Sequence, residues 1–309
     1  VTHDDGHALM RESAHPARQE LDVLAIGTCS GSVGELWQGP AWSGSADEVA
    51  LLTLHGPNQS ITYASPAKPG GLEHRDSYDR LRRKAEDVFY GMTGFPRQDV
   101  VLRYLSDIPR GKGMASSTAD IVSVIRCLFK LHGSPVTDEA MREILRHIER
   151  SDPIFHDYQS IYFSGLQRVY RRFESRVGFY AYWAFGGETT ATKHFDRGLL
   201  LDSYSRHRDA YAASLSRLVA GMDAGSAAAV AAEATESARL AQDYLWSPSV
   251  ESLLGSYREL GAAGVVRGHT GSVAGLLFEE RPAAAEADEV KRMFSRSLME
   301  CYEGSVGLC

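Results

Sequence analysis

Gly111 to Asp120 reads G-K-G-M-A-S-S-T-A-D, and the apolar-periodic run I-V-S-V-I-R-C-L-F-K follows it. A glycine loop that opens into a helix offers the unpaired N–H groups of a first helical turn, backed by the helix dipole, as an anion site. Glycine lets the backbone come close to a phosphate, Lys112 adds a cation, and Ser116, Ser117 and Thr118 add hydroxyls for phosphate or Mg²⁺. The competing reading is a serine-capped helix after a turn. The loop is not a Walker A motif, because Lys112 lies between the glycines and no G-K-[ST] occurs.

Two carboxylates sit close together downstream, in E-R-S-D-P-I-F from Glu149 to Phe155. Phosphoryl transfer to an alcohol needs a cradle for the triphosphate, a divalent cation on its oxygens and an aligned hydroxyl. A serine hydroxyl and one carboxylate are the expected protein ligands of such a cation, which keeps several waters. Ser117 and Glu149 are the candidates, and Glu149 is otherwise a solvated charge at a helix end. On its own residues Asp152 reads as the Asx turn before Pro153 that S-D-P fits.

The string Pro109 to Ala119, P-x-x-x-G-x-x-S-S-x-A, resembles the phosphate loop of the GHMP kinases. The longer G-K-G-M-A-S-S-T-A-D-I is similar to that of the L-threonine kinases, which make O-phospho-L-threonine in cobalamin biosynthesis. Near the start, G-S-V-G-E-L-W-Q-G (Gly31 to Gly39) resembles their S-C-G-E-L-x-Q-G signature. Near the end, Gly261 to Phe278, with G-H-T-G-S at its centre, resembles their second glycine loop. The three motifs stand in the family's order and span most of the chain.

The resemblance implies an α+β GHMP kinase fold, with an N-terminal domain like that of ribosomal protein S5 and a ferredoxin-like C-terminal domain. It implies ATP and Mg²⁺ as cofactors, with Pro109, Gly111, Lys112, Gly113, Met114, Ala115, Ser116, Ser117 and Thr118 around the nucleotide. Ser117 and Asp152 take catalytic roles, and Ser117 and Glu149 hold the metal. Ser32, Glu35, Gln38, Arg267, His269, Thr270 and Gly271 are the substrate-side candidates, with Glu35 for an ammonium group and Arg267 for a carboxylate. Glu35, His269 and Arg267 also have plainer readings: a turn glutamate, a structural histidine, an arginine exposed at a strand end. Ser30, Val33 and Arg150 depart from the family, which has proline, cysteine and proline at those places. The expected reaction is phosphorylation of a free hydroxy amino acid, L-threonine first, with serine, homoserine or an analogue as alternatives. A silent ligand-binding homologue is the rival of another class.

The elements that must carry these residues follow from pattern. Residues 1–20 lack periodicity and read as a loose extension. Residues 21–175 read as the ATP-binding half: strands over 21–28, 49–54 and 59–64, a helix over 76–90, a strand over 100–105, the helix after the phosphate loop, and a helix carrying Met141, Ile144, Leu145 and Ile148 behind Thr137 or Asp138. The Gly31 to Gly39 motif is expected as a turn after the first strand. Residues 176–309 read as a strand over 176–185, helices over 204–220, 226–240 and 250–260, strands at Val265 and over 273–278, and a last helix over 283–294.

Composition sets outer bounds. The 309-residue chain has ordinary hydrophobic and charged fractions and a formal net charge of −7. Without a basic tract, nucleic acid is not an expected partner. Cys29, Cys127, Cys301 and Cys309 show neither C-x-x-C nor zinc spacing, so reduced thiols are expected. No apolar run or leader pattern points to a membrane, so a cytoplasmic enzyme is expected. Its partners are ATP and a small amino acid, and a homodimer is compatible with everything in the sequence.

Overall fold

The computed structural model describes residues 22–67, 79–186, 197–296 and 299–307. The proposed extension at 1–20 and Cys309 lie outside them, as does the start of the helix expected over 76–90.

The first half contributes β1 (Ala25–Trp42), β2 (Asp47–Pro66), α1 (Asp79–Thr93), β3 (Val100–Ser106), α2 (Ser116–Leu131), α3 (Asp138–Arg146), β4 (Ser160–Phe163) and β5 (Arg168–Arg172). The second contributes β6 (Phe179–Phe185), α4 (Arg197–Arg206), α5 (Arg208–Asp223), α6 (Ala227–Ala241), α7 (Pro248–Ser256), β7 (Gly264–Arg267), β8 (Val273–Phe278), α8 (Ala284–Arg296) and β9 (Tyr302–Val306). All strands join one antiparallel sheet ordered β5-β4-β2-β1-β7-β8-β6-β9, with β3 also paired to β2. The halves meet where β1 touches β7, at the single pair Glu35–Arg267.

Two expectations fail here for one physical reason. Glu35 and Gln38 stand inside a long strand, not on a turn, and β2 is one strand where the sequence reads as two. The glycines and polar residues that look like turn signals are absorbed by irregular pairing: the β1–β2 register slips between Ser30 and Ser32, Ser32 and Glu35, and Glu35 and Trp37. On β2, Gly56 to Gln59 stays extended while Asp107, just after β3, accepts the Gln59 N–H at 2.6 Å.

Helices cover the sheet through their apolar stripes. Ile121, Val122, Ile125 and Leu128 of α2 pack with Val33, Leu36, Trp37, Leu52 and Leu54 in the main core. A second cluster joins Val250 and Leu253 of α7, Val290 and Phe294 of α8, and Val265, Leu276 and Phe278 of the sheet. Thr137 caps α3 by accepting the Ala140 N–H, and Ser226 and Ser247 cap α6 and α7 in the same way. No helix among the described residues is long and apolar enough to cross a membrane.

Candidate active site

Unlike those helices, α2 begins without a side-chain cap. Its N-cap is Ala115, held in the left-handed region at φ 54°. The serine-capped reading is therefore wrong: Ser116 is already helical, and among the described residues no side chain caps the first turn of α2. The chain from β3 to α2 is fixed from both halves. Ser32 of β1 donates its N–H to Met114 O at 3.0 Å, and Val273 of β8 donates to Lys112 O at 2.9 Å.

The second glycine loop, between β7 and β8, lies directly against this one. A Cβ on Gly113 (φ 81°) would fall 2.6 Å from the Gly271 Cα, and one on Gly271 would fall 2.2 Å from the Gly113 Cα. Only glycine fits on either side of that contact.

Between and beside the loops lies a cavity of about 490 Å³. Gly111 and Gly113 to Thr118 line one end, with Glu149, Thr270 and Gly271. Glu35, Glu48, Val49, Arg150, Asp152, Ser164, Gly165, Leu200 and His269 complete its wall. The slipped register of β1, with Gly34 at φ 89° against the Arg267 carbonyl, is what puts Glu35 there.

Three carboxylates converge in this space. Ser117 Oγ donates to Glu149, at 2.7 Å from Oε1 and 2.8 Å from Oε2. Burial pushes Glu149 up to about 7, against the pull of that hydrogen bond. Asp152 follows three residues on, where the Thr118 hydroxyl accepts its N–H at 3.4 Å. Among the described residues no backbone N–H donates to its carboxylate, so it forms no Asx turn. Burial raises Asp152 to about 6. Glu35, 3% exposed, accepts from Thr53 Oγ1 at 2.6 Å; burial, and then the nearby Asp152 charge, hold it well above the usual carboxylate range.

Several expected residues stand elsewhere. Pro109 and Lys112 do not line the cavity; Lys112 Nζ donates to Gly186 O at 2.7 Å, over the Phe185 ring, and so ties the loop to the end of β6. Ser32 is buried behind the loop with its hydroxyl unpartnered. Gln38 accepts from Tyr244 at 3.0 Å and meets His269 Nδ1 at 2.6 Å, which steers the histidine of the second loop. Burial lowers His269 to about 4, so it is a neutral imidazole. Arg267 is neither at the cavity nor exposed at a strand end. It is 2% exposed and donates to Gln242 Oε1 at 2.9 Å, beside Tyr211 and Tyr244.

Sequence reasoning passed over other residues that matter. Asp120 closes the phosphate-loop motif but faces inward, accepting from Arg82 at 2.7 Å, Ser60 at 2.6 Å and Arg110 at 3.4 Å. Its signal was position: a carboxylate on the apolar face of a helix. Glu48, Ser164 and Leu200 reach the cavity from β2, from the turn after β4 and from α4, and carried no local signal.

No cluster of three or more His, Cys, Asp or Glu side chains among the described residues is placed to hold a metal ion alone. The hydroxyl–carboxylate pair Ser117–Glu149 still suits a hard cation that takes most of its oxygens from water and phosphate. Among the described residues no side-chain cation forms an ion pair with Glu149, and its raised affinity for a proton marks a carboxylate that a cation would relieve.

Strand order, helix placement and two opposed glycine loops define the GHMP kinase fold. Residues 77–159 match the family model "GHMP kinases N terminal domain". Mevalonate kinase from methicillin-resistant Staphylococcus aureus superposes with a TM-score of 0.63 at 14% identity, over 92% of this chain and 99% of that one. Homoserine kinase from Cytophaga hutchinsonii gives 0.62 at 15%, over 96% of each. Streptococcus pneumoniae phosphomevalonate kinase, in complex with phosphomevalonate and AMPPNP, gives 0.64 at 14%, over 91% of this chain and 98% of that one. No curated protein sequence matches the chain significantly.

Proposed function

We propose that the chain is an ATP-dependent kinase that transfers the γ-phosphoryl group to the side-chain hydroxyl of a free amino acid, L-threonine first. The observation that carries this reading is the meeting, in one cavity, of an uncapped helix N-terminus, the Ser117–Glu149 pair and the buried Asp152.

The uncapped N–H groups of α2 and the backbone from Gly111 to Ala115 would bind the triphosphate. Ser117 and Glu149 would hold Mg²⁺, which supplies charge neutralisation on the β- and γ-phosphoryl oxygens. The acceptor oxygen attacks the γ-phosphorus, the bond to the β-bridging oxygen breaks, and its electron pair leaves on ADP. The hydroxyl proton passes to Asp152. In a loose transition state that proton leaves late, so Asp152 acts first by orienting the hydroxyl. A carboxylate raised to about 6 is closer to neutral operating pH than an ordinary aspartate and serves better as a base.

An amino acid acceptor is favoured by Glu35, a buried carboxyl in the cavity wall whose hydrogen-bond partner among the described residues is a hydroxyl, not a cation. The acceptor's ammonium group would pair with it and hold the carboxylate ionised. The motif resemblance selects threonine among such acceptors and O-phospho-L-threonine as the product. A methyl group is worth only about 1–3 kcal/mol of discrimination, so substrate rank is a matter for measurement.

The test is ADP release over a panel of hydroxy amino acids, with products identified by phosphorus NMR. Threonine-dependent release with O-phosphothreonine formed supports the proposal. Faster turnover of serine or homoserine would replace the substrate and keep the reaction. ATP binding without turnover on any acceptor would make the chain a ligand-binding homologue.

A further inference from the structure

Arg150 is the one guanidinium among the described residues that lines the cavity. It sits between Glu149 and Asp152, at a place where the L-threonine kinase pattern has proline, and the Proposed function gives it no task. The buried and half-buried arginines nearest the phosphate loop and the sheet centre are held by the protein: Arg82 and Arg110 by Asp120, Arg126 by backbone carbonyls, Arg267 by Gln242; Arg150 itself is exposed to the cavity mouth. Arg150 has no ion-pair or hydrogen-bond partner among the described residues, although Glu35, Glu48, Glu149 and Asp152 line the same cavity.

Its surroundings place it away from the nucleotide. A Cβ on Gly165 would lie 4.0 Å from the Arg150 Nε, so the guanidinium stem runs beside the turn from β4 to β5. β4 pairs with β2 at Ala50 and Leu51, next to the lining residues Glu48 and Val49. On the other side, the Arg150 charge acts on His269. The wall made by β2, the β4–β5 turn and His269 is distinct from the phosphate loop and adjoins Asp152.

We propose that Arg150 binds a carboxylate of the acceptor, opposite the Glu35 pole, so that the site selects a zwitterion. Guanidinium and carboxylate match in a fork geometry that a lysine cannot reproduce. A carboxylate is favoured over a phosphate monoester by charge: Glu35, Glu48 and Asp152 also face this end, and one cation does not offset them for a dianion. Held by both its charged groups, an amino acid has little freedom left, and its side-chain hydroxyl is directed toward Asp152 and the γ-phosphate. This inference rests on the kinase reading for the word acceptor, but binding tests it independently of turnover.

The experiment is calorimetric titration of L-threonine, L-threonine amide and O-phospho-L-threonine into the full chain with Mg·AMPPNP, for wild type, Arg150→Ala and Arg150→Lys. ADP release is run on the same preparations. Wild type should prefer threonine to its amide by at least about tenfold. Arg150→Ala should erase that preference by weakening threonine alone, and Arg150→Lys should restore part of it. AMPPNP affinity should stay within about twofold of wild type throughout. Threonine binding unchanged in Arg150→Ala, an equal loss for threonine and the amide, or a loss confined to AMPPNP would each overturn the inference. So would a wild type that binds no amino acid, or one that prefers the phosphate monoester. Should the carboxylate preference hold while no preparation releases ADP, Arg150 keeps its role and the kinase reading falls.

Discussion

Replacing Gly271 with alanine tests whether the two glycine loops must touch. The added Cβ would stand 2.2 Å from the Gly113 Cα, 2.3 Å from its nitrogen and 2.4 Å from the Lys112 carbonyl oxygen. Carbon atoms rest at about 3.5–4.0 Å, so the backbones must part by about 1.5 Å. Both are fixed, the first by Ser32 and Val273 and the second by the ends of β7 and β8, which leaves little room for relief. Overpacking of this kind costs about 1–3 kcal/mol of stability. The functional loss should be larger, because displacement of a reacting group by about 1 Å costs on the order of 10²-fold in rate. ADP release and calorimetric ATP binding, with a thermal melt, read both effects. Gly44→Ala is the control: Gly44 has φ 99° but nothing within 4 Å of a new Cβ, so it carries strain without collision. It should lose about 1 kcal/mol of stability and no activity. Turnover and ATP affinity within twofold of wild type in Gly271→Ala would refute the argument.

Ser117→Ala removes the hydroxyl that meets both Glu149 oxygens, and should raise the magnesium concentration for half-maximal turnover by about tenfold or more without unfolding the chain; an unchanged magnesium titration would remove Ser117 from the metal site. Asp120→Ala strands Arg82, whose side chain is only 7% exposed, and should cost about 3–5 kcal/mol in urea denaturation, whereas a loss under about 1 kcal/mol would contradict the buried-pair reading. With Asp152 near 6 and Glu149 near 7, both must lose a proton to work, so turnover at low magnesium should climb between about pH 6 and 7; a flat profile there would reject these assignments. The stability sign is opposite. The folded Asp152 holds its proton up to about 6 against an ordinary 3.8, so the folded state binds more protons in that window. Wild type should therefore lose stability relative to Asp152→Asn as pH rises from about 4 to 6, by up to about 1.4 kcal/mol per pH unit, and the reverse trend in urea midpoints would contradict burial of the charge.

What the sequence made legible was local. The phosphate loop, α2, Glu149 and Asp152 could be found because glycine, serine and carboxylate spacing within about forty residues carries the chemistry. The short strands β4, β5 and β9 were missed, since four or five residues hold too little periodicity to separate strand from loop. Glu35 was found through its motif but placed on a turn, because a strand that slips register three times reads locally as broken. Arg267 was assigned to the substrate because a guanidinium can grip a carboxylate, with exposure at a strand end as the alternative; only the packing of α6 and the residues after it, with Tyr211, Gln242 and Tyr244, shows that it is enclosed. Arg150 was visible as a departure from pattern, and its use depends on a turn fifteen residues further along the chain.

The central claim is that this cavity moves a phosphoryl group to an alcohol, with Asp152 taking its proton. Wild type and Asp152→Asn, purified together, should be compared for Mg·ATP binding by calorimetry and for threonine-dependent ADP release. The substitution keeps shape and removes the charge, so ATP should bind both equally, while kcat should fall by at least about 10²-fold. A kcat for Asp152→Asn equal to that of wild type, or a wild type that binds ATP and phosphorylates no hydroxy amino acid, would contradict the account.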